Sequence, residues 1–267
     1  MNYIVGLYNL LPAHRRTKLF FRGAWWLVLC KLLKPYFQSP VTIITPSGVK
    51  LRITTDRIDE KVLLHLLQDI PHWYFPSEAD SISNPTILDL GAHHGYYAML
   101  ALGRYSNSKV ICVEPSSSAV RIIEKNAQLN RWGERVKIVW AGLSSKSGEG
   151  ILNITSASWD YHIASNCDNT ANAELVPLMT LDEILNGEHV DIVKCNAEGA
   201  EYFFVEQLQY MFVKPKLVIL MLHNMPSRGS VHGVYPKSCT DFLGFIVKSD
   251  HLERTFSGYH STVLLHQ

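Results

Sequence analysis

Residues 86–95 read Thr-Ile-Leu-Asp-Leu-Gly-Ala-His-His-Gly. The apolar residues Ile87, Leu88 and Leu90 predict a strand over 86–90, and a helical pattern begins at about Tyr96 and runs to about Tyr105. Between them stands Asp89-x-Gly91-x-x-x-Gly95. A strand that turns through glycines into a helix N-terminus is a common way to hold a nucleotide-like ligand. The glycines let backbone approach such a ligand closely. Their spacing is not Gly-x-Gly-x-x-Gly, so the pyrophosphate cradle of dinucleotide sites is not spelled out. A carboxylate at the strand end suits a ligand carrying an ammonium group, and S-adenosylmethionine (SAM) has one.

The next apolar run, Lys109–Val113, predicts a second strand and ends in Glu114-Pro115. An acid at this place in a βαβ unit accepts hydrogen bonds from ribose hydroxyls. Asp89, the Gly91/Gly95 pair and Glu114 together point to a SAM-type site. The alternative is an ordinary α/β unit whose glycines only ease strand–helix packing.

Composition fits a globular core, with 47% hydrophobic and 18% charged residues in a chain of 267. A net charge of +1 gives no case for nucleic acid as the main partner. The five cysteines (Cys30, Cys112, Cys167, Cys195, Cys239) are scattered and include no Cys-x-x-Cys. They predict a reducing, cytoplasmic setting without a disulfide framework and without bound metal.

The positive charge is unevenly placed. Residues 1–55 carry eight lysines or arginines and no acid, the first acid being Asp56. Within this stretch Arg15, Lys18 and Arg22 share one side of a helical wheel, and Phe20, Ala24 and Leu27 the other. Trp25 and Trp26 beside basic residues suit a membrane interface. The uninterrupted apolar run Gly23–Cys30 has only eight residues, against about 20 for a membrane span. Residues 15–34 are therefore expected either to touch a membrane surface peripherally or to pack on this domain or on a second copy. No A-x-A-like cleavage site marks a signal peptide.

Residues 1–40 thus form a basic, aromatic-rich helical extension, and 41–267 a single α/β domain. Val41–Ile44 and Val49–Ile53 flank Thr-Pro-Ser-Gly as a hairpin, and Asp59–Leu67 has helical spacing. Ser116 can cap a helix running to about Asn130, with Val120, Ile123 and Ala127 near its buried side. Strands are expected over Val136–Trp140, Gly150–Thr155, Val190–Lys194, Leu217–Leu222 and Ser261–Leu265. Thr180-x-x-Glu183 reads as a capping box. Alternating strands and helices imply a mainly parallel sheet covered on both faces. The polar stretch Ser156–Leu175, with Trp159, Tyr161 and His162 near its start, reads as a long loop. Such loops are often lids or binding loops.

The segment Val193-Lys-Cys-Asn-Ala-Glu-Gly-Ala-Glu201 completes an ordered set of motifs. With Asp89-Leu-Gly-Ala-x-x-Gly, Val-Glu114-Pro and Leu220-x-Leu-His223 it resembles the FkbM family of SAM-dependent methyltransferases over about residues 41–225. The resemblance implies a class I, Rossmann-like methyltransferase fold with seven strands in the order 3-2-1-4-5-7-6, the seventh antiparallel. It also implies methylation of a hydroxyl on a small-molecule or glycan acceptor. The chain departs from the family pattern at Asn196, where an aspartate is usual, and at Met221, where a glutamate is usual. His93 and His94 replace an asparagine and a small or apolar residue. With two carboxylates fewer, a divalent metal has less to bind.

SAM is accordingly expected on Asp89, Gly91, Ala92, His93 and Gly95, with Glu114 and Pro115 at its ribose, Ala141 and Gly142 near its adenine, and Asn196 also in contact. A hydroxyl acceptor must lose a proton. His223 and Glu198 are the candidate bases, with His94 a third placed nearer the cofactor. His223 could instead orient Asn196 or a loop carbonyl, and Glu201 could cap a helix or pair with a lysine. Two other readings remain open: a SAM-fold protein with weak or no catalysis, favoured by Asn196 and Met221, and a nucleotide-sugar or NAD enzyme, disfavoured by the glycine spacing.

Overall fold

The computed structural model describes residues 41–45, 47–53, 62–63, 66–67, 74–153, 162–164, 173–223, 241–242, 245–255 and 258–266. The expectations for residues 1–40, and for Trp159 and Tyr161, lie outside the described residues. Of the helix expected over Asp59–Leu67, Val62, Leu63, Leu66 and Leu67 are described and helical, with Leu63 and Leu66 buried.

The described residues open with a hairpin, β1 (Val41–Ile44) and β2 (Lys50–Ile53), paired antiparallel. The expected nucleotide-binding unit follows as β3 (Thr86–Leu90), α1 (Tyr96–Arg104), β4 (Lys109–Val113), α2 (Ser117–Leu129) and β5 (Val136–Val139). Next come β6 (Gly142–Leu143), β7 (Gly148–Asn153), β8 (His162–Ala164), β9 (Ala173–Met179) and the short α3 (Leu181–Leu185). The chain ends with β10 (Ile192–Cys195), α4 (Glu201–Leu208), β11 (Leu217–His223), β12 (Asp241–Phe242), β13 (Phe245–Thr255) and β14 (Gly258–His266).

The central sheet runs β12-β13-β14-β11-β10-β3-β4-β5. Strands β5, β4, β3, β10 and β11 are mutually parallel, and β14 pairs antiparallel with β11. Numbered in chain order without the two-residue β12, this is the class I methyltransferase order, so the chain has that α/β fold. The two-residue β12 makes eight strands where seven were expected. Its central strands β3, β4 and β10 and residues 217–220 of β11 are buried on both faces, as parallel strands require. Ile87, Val110, Ile192 and Ile219 face a core shared with α1, α2 and the β1–β2 hairpin. Leu88, Ile111, Val193 and Leu220 face the opposite core, closed by α3 and α4.

Two stretches differ from the sequence expectation. Ser156–Leu175 is not a plain loop: β8 and the start of β9 fall inside it. With β6 and β7 these strands form a second sheet in the order β6-β9-β7-β8. Its signal is weak because β9 carries Pro177, which cannot donate to a ladder, and only Val176 of its side chains is buried. β13 was not anticipated at all. Its sequence FIVKSDHLERT lacks clean alternation, and its pairing with β14 shifts register between Val247 and Ser249.

Local signals that have a capping mechanism match the structure. Ser116 caps α2, its hydroxyl accepting from Ala119 N at 3.4 Å. Thr180 and Glu183 form the expected capping box on α3. On α2, however, Val120 is only half-buried, while the polar Asn126 is fully buried. Asn126 Oδ1 accepts from Arg52 N at 2.6 Å, and its Nδ2 donates to His94 O at 2.9 Å. One turn on, Asn130 bonds Lys50 N and O at 2.8 and 2.7 Å. Two asparagines thus stand in for a neighbouring strand along β2 and tie the hairpin to the turn before α1. Replacing Asn126 by Ala removes both of these backbone bonds and should cost about 1–3 kcal/mol. Asn130→Ala, at the more exposed position, should cost less than about 1 kcal/mol. Urea unfolding of the two variants checks the ranking.

Candidate cofactor and active site

The parallel strands end together at one edge of the sheet, where open α/β folds bind ligands. β3 leaves this edge through Gly91 (φ 73°), Ala92, His93 (φ 50°) and His94 to Gly95 (φ 73°), the N-cap of α1. A Cβ on Gly91 would lie 2.0 Å from the carbonyl oxygen of Asn196. The glycine is therefore demanded by the backbone leaving β10, not only by a ligand. Gly91 N and Ala92 N both donate to Val113 O at 3.1 Å, fastening the turn to the end of β4.

Asp89 lies beneath this turn and is fully buried. Its register partner on β10 is Lys194, itself buried. The two side chains meet with Lys194 Nζ 2.9 Å from Asp89 Oδ1, and the same ammonium donates to Gly91 O at 2.8 Å. Burial pushes the Asp89 carboxyl above its ordinary range, and Lys194 opposes that push. Asp89 Oδ2 accepts no hydrogen bond among the described residues. The carboxylate is sealed off from the edge, and its contact is with Lys194.

Glu114 is buried at the end of β4. Its Oε2 accepts from His93 N at 2.7 Å and its Oε1 from Ser116 N at 2.9 Å. Desolvation raises its carboxyl above the ordinary value, against these bonds. Pro115 O accepts from the indole Nε1 of Trp140 at 2.6 Å. The rings of His93 and His94 stack with centroids 3.9 Å apart, and Tyr96 Oη lies 3.4 Å from His94 Nδ1.

After β10, Asn196 N donates to Leu90 O at 3.0 Å. Its Oδ1 is buried and accepts no hydrogen bond among the described residues. Glu198 follows at φ 47° and is half-buried. A non-glycine residue in this left-handed region costs about 1–2 kcal/mol and persists only where its surroundings hold it. Here Glu201 supplies the hold: its carboxylate accepts from Ala197 N and Gly199 N, both at 2.7 Å. Glu201 is fully buried and is the cap of this turn, one of its two expected roles. Met221 is half-buried, and His223 closes β11 with its backbone paired to His260 of β14. Ala141 and Gly142 are both buried. The N–H of Ala141 goes to Val139 O, and Gly142 pairs with Leu178 in the second sheet.

The structure thus brings Gly91, Ala92, His93, Gly95, Glu114, Pro115 and Asn196 to one edge, with Glu198 on the adjoining turn. Asp89 sits below that edge, and Ala141 and Gly142 are turned into packing. Residues missed in sequence include Lys194 and Trp140. Nothing in the sequence alone places Lys194 opposite Asp89; the register of β10 on β3 does so. Among the described residues no group of three or more His, Cys, Asp or Glu is placed to hold a metal ion.

Comparisons with known proteins bear on this site. The Methyltransferase FkbM domain family matches residues 89–254, more than half of the chain. Methyltransferase sdnD of Sordaria araneosa is 33% identical over 66 residues, 25% of this chain and 26% of that protein. The chain therefore spans about a quarter of the length of that curated relative. Among solved structures, the METTL16 methyltransferase domain aligns with a TM-score of 0.51 at 15% identity, over 90% of this chain and 77% of that one. TrmK of M. capricolum, solved with S-adenosylhomocysteine, aligns with a TM-score of 0.44 at 13% identity, over 71% of this chain and 65% of that one.

The Asp89–Lys194 pair has a measurable signature. Removing one partner (Asp89→Asn or Lys194→Met) strands a buried charge and should cost about 3–5 kcal/mol. The double variant should cost clearly less than the sum of the two. Additive losses in denaturant unfolding would show that the two charges do not compensate one another.

Proposed function

The chain belongs to the FkbM-domain methyltransferases, and we propose that it methylates a hydroxyl group on a saccharide or a natural-product intermediate. The observation that supports this most is the meeting of the Gly91 turn, Glu114 and Asn196 at one sheet edge. SAM supplies an electrophilic methyl group on a sulfonium. Everything else falls to the protein: holding donor and acceptor in line, and receiving the acceptor's proton.

The residues present fit such a cofactor. Each Glu114 oxygen accepts one backbone N–H and keeps a lone pair for a ribose hydroxyl. The buried amide oxygen of Asn196 has no donor of its own among the described residues. Lys194 holds the carbonyl of Gly91 and so fixes the turn under the amino-acid end of the cofactor. Asn196 cannot take a proton, so it positions. The proton goes to His223, the last residue of β11, or to Glu198, three residues past β10. His223 is favoured because an imidazole's unperturbed pKa of about 6.5 lies near working pH.

Two measurements test this. Glu114→Ala should weaken SAM binding by about 1–3 kcal/mol in calorimetry. The Glu114 carboxyl is raised by burial, so it is ionised, and able to accept both ribose bonds, only above that raised value. SAM affinity should therefore fall as pH drops through a value above the ordinary one for a glutamate, and Glu114→Gln should flatten that acid limb. For catalysis, His223→Asn should lower kcat by about 10²-fold or more with SAM affinity intact. Turnover on a panel of glycans, hydroxylated small molecules and short RNAs reads out the acceptor. Methylation of RNA alone would overturn the acceptor class, and near-full turnover by His223→Asn would remove that base.

A further inference from the structure

Six large hydrophobic side chains are exposed among the described residues: Ile44, Trp140, Leu175, Tyr210, Phe212 and Val213. Trp140 alone directly follows a parallel strand at the ligand-binding edge of the central sheet. Tyr210, Phe212 and Val213 lie before β11, at the opposite edge, and Ile44 and Leu175 belong to other sheets. Trp140 is 43% exposed, although its indole N–H is fixed to Pro115 O at 2.6 Å. That bond uses the edge of the ring. It spans from the end of β5 to the end of β4 and brings the N–H edge of the ring to Pro115, the residue after Glu114.

The residues next to Trp140 offer a ligand little. Ala141 is fully buried with its N–H committed to Val139 O, and Gly142 is buried in the pairing of β6 with β9. The expectation that these two contact adenine therefore lacks an accessible surface to support it. Trp140 has one, and a flat π-face held at its edge by a hydrogen bond loses little freedom when a base packs on it.

We propose that Trp140 is the base-stacking residue of the cofactor site, its indole face covering the adenine ring of SAM. This rests on the reading that the carboxyl edge binds SAM with its ribose at Glu114. From Glu114, ribose and base must continue along the sheet edge, and Trp140 is the aromatic side chain placed there. Stacking recognises the flat base and not its exocyclic groups. Trp140 therefore contributes affinity for the adenosyl part and none for the amino-acid part.

The test uses the full chain, with S-adenosylhomocysteine and 5′-methylthioadenosine as probes. The second probe keeps adenine and ribose and lacks the amino-acid head. Trp140→Ala should weaken both by the same factor, about tenfold or more, with an unchanged unfolding midpoint. Trp140→Phe keeps a ring and should recover most of the loss. In wild type the Trp140 emission, taken as the difference from Trp140→Phe, should change on adding either probe, a signal available even if Trp140→Ala fails to fold. Wild-type affinity for both probes in folded Trp140→Ala, or a loss confined to S-adenosylhomocysteine, overturns the assignment. Wild type that binds neither probe overturns the cofactor placement beneath it, and the assignment with it.

Discussion

The site depends on the close approach of Gly91 to the carbonyl of Asn196, where a Cβ would lie 2.0 Å from the oxygen. Two parallel strands, β3 and β10, leave the sheet side by side, and their exits touch with no room for a methyl group. Directly below, Asp89 and Lys194 occupy opposed register positions and meet as a buried ion pair. Such a pair adds little net stability, because desolvating two charges offsets their attraction. Its value here is alignment. A slip of one residue between β3 and β10 would turn Asp89 and Lys194 to opposite faces of the sheet, leaving each charge alone in an apolar core. The pair therefore makes the wrong register expensive. Correct register is what sets Gly91, Asn196 and the Lys194–Gly91 bond at the height a ligand needs.

From that base the site is built mostly of backbone. His93 N and Ser116 N hold Glu114, Val113 O holds the glycine turn, and Glu201 holds the strained turn at Glu198. Side chains free to act on a ligand are few. At the ends of β10 and β11, Asn196 and Met221 are neutral, so the proton-accepting work proposed for this edge falls on residues just beyond them.

The sequence carried the nucleotide-binding unit plainly because each of its signals has a strong local cause. Ile87, Leu88 and Leu90 make an apolar run broken only by Asp89, Gly91 and Gly95 adopt positive φ, Ser116 and Thr180 cap, and Glu114 follows an apolar strand. Signals that depend on distant partners were silent. Asn126 looks like a polar residue on a helix until the backbone of β2, 74 residues earlier in the chain, arrives to bond it. Lys194 looks like a surface residue at a strand end until Asp89 is placed opposite. β9 and β13 are strands because neighbours pair with them, not because their own residues alternate. The aspartate was read as a ligand contact because a carboxylate at a strand end suggests one. Nothing local told that a lysine would reach it first.

The asparagine clamp on β2 has a consequence for the order in which the chain can assemble. A two-stranded hairpin is marginal by itself. β1 and β2 leave the ribosome well before Asn126 and Asn130, which lie 74 and 80 residues beyond their backbone partners. At the other end, β11 waits for β14, whose Ser261 pairs with Leu222 only when the last strand has been made. Both margins of the domain are thus completed by late arrivals. During synthesis the hairpin has only its own ladder to hold it, and the open side of β11 stays an unpaired edge until β14 emerges. The nascent chain is most exposed to wrong pairing in that interval, and the glycine turn gains its full support from β2 only after α2 has been made.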